Sequence, residues 1–429
     1  MERSIGLIGV LVMVALALAL SCDRRNVRWR IVVVGILIQM LVAAAVLRVP
    51  GIKQAFAGAA WCVNVVIDQC QAGIEFIFGH TLANAPGPGF SFAVRVLPIV
   101  IFFSSLMAVL YYLGVMQRVV AAMAWALRRT LRVSGAEATC AAANVFLGQT
   151  EAPLTVRPLI PGMTRAQLML VMVSGFGSIA GSVLGAYVQM LGGEDPAARQ
   201  LFTTHLLGAS LMSAPAAFVM ARIIMPETEV PPPEDARSIA TIAEEDHANI
   251  FDAAASGATT GVKLAINIAA MLIAFVSLLA LLNWPLHALG ETESLKPILS
   301  SYGFEHGLSI QILLGRLFAP IAWTMGIPWQ DATTMGALLG EKLILTEFVA
   351  YAHLAEAKAA GTITARSAQI GAYALCGFAN FASIAIQIGG LSVLAPNRRK
   401  DFARLALRAM LGGALATQMS ASIAGLFIQ

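Results

Sequence analysis

Long apolar stretches alternate with short polar segments along the whole chain. Eight of these stretches have about the length that an α-helix needs to cross the hydrocarbon core of a membrane: residues 5–21, 31–48, 92–115, 165–191, 199–224, 263–285, 366–392 and 403–427. The pattern predicts an all-α polytopic membrane protein with eight transmembrane helices.

Other segments have apolar residues at helical spacing but are too polar or too short to span. Such amphipathic stretches are typical of helices that lie at the membrane surface, and we predict interfacial helices within residues 61–78, 116–134 and 251–262. Residues 226–249 are rich in Pro and Glu and predict a solvated loop. Residues 286–330 predict a polar loop followed by another interfacial segment.

One polar cluster interrupts the apolar pattern between residues 143 and 158. It combines side chains that hydrogen-bond with residues that break helices: Asn144, Gly148, Gln149, Thr150, Glu151, Pro153 and Pro158. Proline and glycine at this density forbid a straight spanning helix, and a carboxylate at membrane depth is functional by default. We therefore predict a re-entrant hairpin over residues 136–162, made of two half-helices with a buried tip.

A second, shorter hairpin is predicted over residues 332–358, with Thr346 and Glu347 at its tip. Half-helix tips near the middle of the membrane are where secondary transporters bind substrate and coupling ion. We expect the two hairpins to enter from opposite faces and to bring Glu151 and Glu347 together in one buried cluster.

Composition supports a membrane protein and excludes several other classes. Hydrophobic residues make up 58% of the chain and charged residues 12%, with a mean hydropathy of +0.77. A soluble enzyme with a large core does not have this composition. The net charge of +4 is small, and no nucleic-acid partner is expected. The five cysteines and six histidines lack the spacing of a zinc site, so we expect no cofactor.

The distribution of basic residues predicts the orientation of the chain. Loops at 22–30, 116–134, 222–250 and 393–404 hold fourteen Lys and Arg, whereas those at 49–90, 192–199 and 286–331 hold four. The positive-inside rule then places both termini on the periplasmic side of a bacterial inner membrane. A cleaved signal at residues 5–21 is an alternative for the first span, but no small-residue cleavage pattern follows it.

The sequence contains a short internal similarity. Residues 176–180 (Phe-Gly-Ser-Ile-Ala) resemble residues 381–385 (Phe-Ala-Ser-Ile-Ala), and each copy follows a Thr-Glu pair. Three spans, an odd number, lie between the hairpins, so the two copies insert with opposite polarity. This arrangement predicts an inverted repeat with the binding site at its interface.

The polar residues can be assigned two kinds of chemistry. As general acid and base, Glu151 and Glu347 would suggest an intramembrane hydrolase, but no nucleophile with its base accompanies them. As hydrogen-bond acceptors they suit a neutral, polyhydroxylated ligand. Further donors, acceptors and apolar ring contacts are available from Gln149, Thr150, Val183, Phe378, Asn380 and Ser383. Asn144 and Ser178, with backbone carbonyls near Leu147 and Ile179, offer the oxygen ligands that suit sodium.

Four motifs in order resemble the concentrative nucleoside transporters. They are Gly-Gln-Thr-Glu-Ala-Pro (148–153), Gly-Ser-Ile-Ala-Gly-Ser-Val-Leu-Gly-Ala-Tyr (177–187), Glu-Phe-Val-Ala-Tyr (347–351) and Gly-Phe-Ala-Asn-Phe-Ala-Ser-Ile-Ala-Ile (377–386), within a match from about Phe92 to the C-terminus. The resemblance implies a homotrimer in the lipid bilayer, with a scaffold and a moving transport domain in each subunit.

The resemblance also implies a role for each candidate site residue. Gln149, Thr150, Glu151 and Val183 would face the nucleobase, with Phe378 packing on it. Glu347, Asn380 and Ser383 would hold the ribose. Sodium would be bound by Asn144 and Ser178 and by the carbonyls of Leu147 and Ile179.

Two positions depart from the family pattern. Thr346 stands where the family usually has Asn, and Ala382 where it often has Ser. The first departure is expected to alter either the packing of the hairpin tip or the ribose contacts, and with them the sugar preference. Proton-coupled relatives typically lose the sodium ligands, whereas Asn144 and Ser178 are retained here.

We therefore predict a sodium-coupled symporter that imports nucleosides such as uridine, cytidine or adenosine by an elevator-like movement. Proton-coupled nucleoside uptake is the alternative. The predicted division assigns residues 1–115 and 226–290 to the scaffold, and residues 116–225 and 291–429 to the two repeats of the transport part.

Overall fold

The computed structural model describes residues 2–83, 92–231, 247–290, 292 and 308–428. Within these residues the secondary structure is helical, and none of them lies in a β-strand. Much of the predicted loop at 226–249 and of the predicted polar loop at 286–330 lies outside the described residues.

Three helices begin the chain: α1 (Glu2–Ala19), α2 (Trp29–Arg48) and α3 (Pro50–Ala83). The amphipathic helix predicted at 61–78 is therefore part of a longer helix, which kinks at Gly79, where φ is 74°. After a π-helical turn at Phe92–Val96, α4 spans Leu97–Tyr112 and α5 spans Val115–Leu131. These two helices correspond to the third predicted span and the predicted interfacial helix at 116–134.

The region of the first hairpin has one helical limb only. Helix α6 (Gly135–Ala143) begins with a capping box in which Ser134 accepts from the amide of Glu137. The chain then returns through short 3₁₀ turns at Ala152–Val156 and Ile160–Gly162. The prediction of two half-helices is wrong for this second limb, because Pro153, Pro158 and Pro161 remove the amide donors that an α-helix needs.

A broken helix and a long helix follow. Helix α7 (Arg165–Phe176) and helix α8 (Gly181–Gly192) are separated by non-helical residues 177–180. They correspond to the span predicted at 165–191. Helix α9 (Pro196–Ile224) is continuous despite Pro215 and corresponds to the span predicted at 199–224.

Helix α10 runs without interruption over Ile250–Gly290, 41 residues. The separate interfacial helix predicted at 251–262 is therefore wrong, since those residues are the first turns of the same helix. These first turns pack on another helix, because Gly257 and Gly261 lie against the backbone of α4, and a Cβ at either position would clash there.

The second hairpin region has two helical limbs. Helix α11 (Ile310–Thr324) precedes α12 (Trp329–Ile344) and α13 (Glu347–Ala359), whose junction at Leu345 and Thr346 is the predicted hairpin tip. A second broken helix follows, made of α14 (Ala365–Ala374) and α15 (Phe381–Leu394). Helix α16 (Arg399–Phe427) ends the chain.

The same order of elements thus occurs twice. A hairpin region, a helix broken in the middle and a 29-residue helix run from α6 to α9 and again from α12 to α16. Threonine caps the broken helix in both copies, at Thr164 and Thr364. The short sequence similarity does not coincide with this repeat of elements. Residues 176–180 span the first break, whereas residues 381–385 begin after the second break. The inverted orientation of the copies stays a prediction.

In the described part of the chain, six helices or consecutive helical segments are long and apolar enough to cross a membrane, or seven if the bent pair α11–α12 counts as one span. The remaining predicted spans are a shorter apolar helix within α1 and the broken helix α14–α15, so the number eight stays a prediction. In the apolar 18-residue stretches of α7–α8 and of α9, 89% of the residues are buried, whereas 17% are buried in the corresponding stretch of α10. Helices α7, α8 and α9 therefore belong to the buried interior, whereas α10 lies at the periphery.

Candidate functional site

The two broken helices meet at their breaks. The amide of Phe378, in the break between α14 and α15, donates to the carbonyl oxygen of Ser178, in the break between α7 and α8, over 3.2 Å. Gly377 permits this approach, because a Cβ there would lie 2.8 Å from the carbonyl oxygen of Phe176. Unwound backbone is thereby enclosed by protein, as a membrane interior requires.

Glu347 is buried at this crossing, with 3% of its surface exposed. Its carboxylate accepts a hydrogen bond from the hydroxyl of Tyr187 on α8 and another from the side-chain amide of Asn380, each at 3.0 Å. The amide oxygen of Asn380 in turn accepts from the backbone N–H of Ser383 at 2.8 Å and caps α15. Three elements therefore fix the carboxylate, and the three predicted ribose residues lie together.

Thr346, at the departure from the family pattern, is the N-cap of α13. Its hydroxyl accepts from the amide of Val349 at 3.5 Å. Threonine and asparagine are both favoured at this position because either side chain offers an oxygen to the first turn. The substitution therefore keeps the capping function of the residue before Glu347.

At the tip of the first hairpin, Gln149 and Thr150 pack inward. A Cβ on Gly175 of α7 would lie 2.9 Å from the Cβ of Gln149, and a Cβ on Gly390 of α15 would lie 2.6 Å from the Cγ2 of Thr150. The hairpin tip is thus seated on both broken helices. The side-chain oxygen of Gln149 is buried without a hydrogen-bond partner in the described residues.

Glu151 has a different environment from Glu347. It is exposed, its carboxylate accepts from the amide of Gly148 at 3.2 Å, and it faces a cavity of about 900 Å³. The expectation that the two carboxylates share one buried cluster is therefore wrong for this conformation. The physical reason is that Glu151 follows the hairpin tip and turns toward the outer helices, whereas Glu347 begins a buried helix.

The predicted sodium ligands Ser178 and Ile179 lie in the first break, and Asn144 lies at the end of α6. The side-chain amide of Asn144 donates to the hydroxyl of Ser174 at 2.8 Å and to the carbonyl of Cys140 at 3.1 Å. The hydroxyl of Ser178 donates to the carbonyl of Ser174 at 2.8 Å. Asn144 and Ser178 thus meet at Ser174, and the oxygen of the Asn144 amide is buried with no hydrogen-bond partner in the part of the chain that is described.

The remaining predicted residues surround these groups. Ile179 and Val183 are buried, whereas Leu147 and Phe378 are partly exposed. Leu147 also lines the cavity that Glu151 faces. The backbone near them is bonded across two elements, since the carbonyl of Phe146 after α6 accepts from the amide of Gly181 at the start of α8, at 2.7 Å.

Sequence reasoning missed two residues beside Glu347. Tyr187 is fully buried and stacks on Tyr351, with 4.4 Å between ring centroids. Lys342 is buried near the second break, where its ammonium donates to the carbonyl of Ala374 at 2.8 Å and to the hydroxyl of Thr417 at 2.9 Å. A lysine inside a predicted hairpin was the available signal, because an ionisable residue at membrane depth marks a functional region.

This arrangement can bind a neutral ligand with adjacent hydroxyl groups. An ionised carboxylate has about four lone-pair sites, and Tyr187 and Asn380 occupy two of those on Glu347. The buried oxygen of Asn144 has no hydrogen-bond partner in the described residues. Leaving such an acceptor unpaired costs about 1–3 kcal/mol. A cation coordinated by this oxygen would remove that cost.

Comparison with known proteins matches three parts of the chain to family descriptions that concern nucleosides. The family description "Na+ dependent nucleoside transporter N-terminus" matches residues 8–81, "Nucleoside recognition" matches 93–194, and "Na+ dependent nucleoside transporter C-terminus" matches 205–425. An uncharacterized transporter of Haemophilus influenzae is 43% identical over 98% of this chain and 97% of its own length. The nucleoside permease NupC of Helicobacter pylori is 38% identical over 98% of this chain and 97% of its own length.

Solved structures of one similar protein cover the whole chain. CNTnw in an inward-facing substrate-bound state matches with a TM-score of 0.87 and 41% identity, over 100% of this chain and 98% of that one. A variant of CNTnw in an outward-facing state matches with the same TM-score, identity and coverage. The relatives whose names state a function are transporters and not enzymes, so the hydrolase alternative is dropped.

Proposed function

We propose that this chain, which belongs to the concentrative, Na⁺-dependent nucleoside transporter family, is a sodium-coupled symporter that imports nucleosides across the inner membrane. The observation that carries the proposal is the buried carboxylate of Glu347, held by Tyr187 and Asn380 where two broken helices cross. A charge buried this deeply is costly unless a ligand or partner uses it.

The ribose is proposed to bind at Glu347, Asn380 and Ser383. Charge-assisted hydrogen bonds from two sugar hydroxyls to one carboxylate are stronger than those between neutral groups. The contacts of Glu347 and Asn380 support this assignment, because they orient the carboxylate before any ligand arrives.

The nucleobase is proposed to bind against the first hairpin tip. Gln149, Thr150 and Glu151 supply polar contacts, and Val183 and Phe378 supply apolar ones. The seating of Gln149 and Thr150 on α7 and α15 supports the assignment, as does the unpartnered oxygen of Gln149.

Sodium is proposed to bind at the first break, as cargo that travels with the nucleoside. Its ligands are the side-chain oxygens of Asn144 and Ser178 and the carbonyl oxygens of Leu147 and Ile179. The unpartnered oxygen of Asn144 supports this site. The hydroxyl of Ser178 also supports it, because this hydroxyl donates a hydrogen bond to the backbone carbonyl of Ser174 and its oxygen lone pairs stay available to a cation.

Transport is proposed to proceed by an elevator-like movement of residues 116–225 and 291–429 against a scaffold of residues 1–115 and 226–290. The contrast between the buried inner helices and the exposed α10 supports this division. Exposed apolar side chains on α10, such as Ile273 and Leu281, suit contact with lipid and with other subunits of a homotrimer. Both termini are then periplasmic, with the eight spans and opposed hairpins of an inverted repeat.

Uptake of labelled uridine and adenosine into proteoliposomes tests the proposal. We expect uptake that requires sodium outside the vesicle, and we expect Glu347→Gln to lower kcat/KM by about 10- to 150-fold, the value of a hydrogen bond to a charged group. Sodium-independent uptake that follows a pH gradient would favour the proton-coupled alternative. Absence of nucleoside uptake by the wild-type protein would refute the transport activity itself.

A further inference from the structure

The last turns of α5 carry a basic face that takes no part in the proposed nucleoside site. At about 100° per residue, Trp125, Arg128 and Arg129 share an arc of about 100° around the helix axis. Arg132 follows directly after the last turn. A different arc holds the residues that α5 buries against the protein: Met116, Val120, Ala124, Leu127 and Leu131. Helix α5 therefore has one face on protein and a separate basic face.

The basic face is accessible. Arg128, Arg129 and Arg132 are exposed, and 70% of the surface of Trp125 is exposed. In the part of the chain that the structure describes, no carboxylate forms an ion pair with any of these arginines. Residues 115–136 also contain no Asp or Glu. The positive charge of this face is thus open to a partner.

Arg132 occupies a turn that does not favour its side chain. Its φ is 55° and its ψ is 51°, in the left-handed region, and among the described residues it is the one non-glycine residue with positive φ. Glycine is the residue that this position at the end of a helix favours. The turn therefore does not explain an arginine here, and a role for the charged side chain does.

An exposed tryptophan beside arginines is typical of a helix at the membrane surface. Guanidinium groups bind phosphate through paired N–H donors. Next to the basic arc the helix exposes small apolar side chains: Val119, Ala122 and Ala126. A phosphate-binding face that adjoins an apolar face fits a phospholipid, whose headgroup and acyl chains need both. A soluble acidic partner would use the arginines alone.

We infer that Arg128, Arg129 and Arg132 bind the headgroup of an anionic phospholipid, with Trp125 beside its acyl chains. The site lies at the base of the first hairpin, because residues 132–134 alone separate α5 from α6. The positive-inside rule assigns this basic segment to the cytoplasmic face, where anionic lipids attract arginines near the membrane. The inference does not depend on which solute is transported.

Quenching of Trp125 fluorescence by brominated lipids tests the inference on the full-length protein in phosphatidylcholine vesicles. The protein has six tryptophans, so the signal of Trp125 is taken as the difference between each protein and its Trp125→Phe counterpart. We expect brominated phosphatidylglycerol to be enriched at Trp125 at least about fivefold over brominated phosphatidylcholine at the same mole fraction, the effect of one basic residue near an anionic surface. No enrichment in the wild-type protein would overturn the inference.

A variant without the three arginines tests the assignment of residues. Arg128→Gln combined with Arg129→Gln and Arg132→Gly should abolish the enrichment. Its thermal unfolding midpoint in detergent should not fall, because glycine relieves the left-handed backbone at position 132. Enrichment equal to that of the wild type would overturn the inference.

The matched control removes the same charge from another basic segment that is assigned to the same face. Arg399→Gln combined with Lys400→Gln and Arg404→Gln replaces three exposed residues at the start of α16. It should keep the enrichment at Trp125, and an equal fall in both triple variants would show a general effect of surface charge and overturn the site.

Inorganic phosphate distinguishes a lipid from a free anion. Added at constant ionic strength, it should leave the enrichment of phosphatidylglycerol unchanged. Enrichment that disappears in phosphate would show that the arginines take a free phosphate, and would overturn the lipid assignment.

Discussion

Glu347, the centre of the proposed ribose site, shows how an apolar protein holds a single buried carboxylate. The carboxylate is buried, yet Tyr187 and Asn380 donate to it from two other helices. These bonds offset part of the cost of removing the charge from water. They also leave acceptor sites on both oxygens, so the group is oriented and still able to bind hydroxyls.

The unpartnered oxygen of Asn144 leads to a prediction at the same scale. If this oxygen coordinates sodium, Asn144→Ala removes one ligand and keeps the surrounding helix. We expect the sodium concentration for half-maximal uptake to rise at least about tenfold, since the loss of one charge-assisted contact costs about 1.5–3 kcal/mol. Sodium titration of uridine uptake in proteoliposomes measures this.

Asn64→Ala is the control for that variant. Asn64 is also a buried asparagine, but both ends of its side-chain amide are hydrogen-bonded, the nitrogen donating to Gln200 and the oxygen accepting from Thr203. Its replacement should leave the sodium requirement unchanged. An equal shift in both variants would show that Asn144 acts through packing and not through the ion.

The sequence predicts some of these side chains and misses others for physical reasons. Asn144, Asn380 and Glu347 are conspicuous because polar groups are rare in so apolar a chain. Tyr187 is not, because an aromatic residue in an apolar stretch usually belongs to the core. Glu151 is as conspicuous in the sequence as Glu347. Its carboxylate is exposed and that of Glu347 is buried because the chain turns in different directions after the two hairpin tips.

At the scale of elements, the site depends on backbone contact between two helix breaks. We predict that Gly377→Ala abolishes uptake, because the added methyl group would lie 2.8 Å from the carbonyl of Phe176 and force the breaks apart. Gly389→Ala is the matched control, as nothing lies within 4 Å of the added Cβ. Uptake by both variants, normalised to the protein in the membrane, checks this. Wild-type activity in Gly377→Ala would mean that the crossing tolerates separation.

The base of the first hairpin is held by buried charges. Arg222 at the end of α9 pairs with Glu137 of α6 and lies 3.7 Å from Glu227, whose carboxylate accepts from the hydroxyl of Thr164 at 2.7 Å. The side chains of Arg222, Glu137 and Glu227 are at most 5% exposed. This cluster ties the hairpin to the start of α7 and the end of α9.

Breaking that cluster should destabilise the protein. Arg222→Met keeps most of the side-chain length but leaves two carboxylates buried without their cation, which costs about 3–5 kcal/mol. We expect a clear fall in the thermal unfolding midpoint in detergent. Arg199→Met removes an equivalent charge from a pair in which Asp68 is 53% exposed, and such a pair contributes about 0–1 kcal/mol. Equal midpoints for the two variants would contradict this account of the hairpin base.

The apolar pattern predicts the order of elements well and their continuity less well. Spans such as α2 and α9 follow directly from length and hydropathy. The breaks inside 165–191 and 366–392 are not visible in the pattern, because the Gly, Ser and Asn residues that unwind the chain also occur inside continuous helices. Helix α10 shows the converse, since its first turns look interfacial and yet continue into a 41-residue helix.

At the scale of the whole molecule, the inner and outer helices differ in burial and in the residues that they carry. The inner bundle contains the two breaks, the hairpin tips and the buried charges, whereas the outer helices present apolar side chains to their surroundings. Composition and the ordered motifs predict the membrane class and the family. They do not predict which polar groups remain without a partner, since that depends on how helices distant in sequence pack together.

The central claim is that nucleoside and sodium bind together where the broken helices cross. Binding of uridine and adenosine to the purified wild-type protein, measured by calorimetry in sodium and in choline buffers of equal ionic strength, tests it most directly. The account predicts that sodium tightens nucleoside binding about 5- to 150-fold, the usual range of coupling between two sites, and that nucleoside tightens sodium binding by the same factor. Equal nucleoside affinity in the two buffers would contradict it.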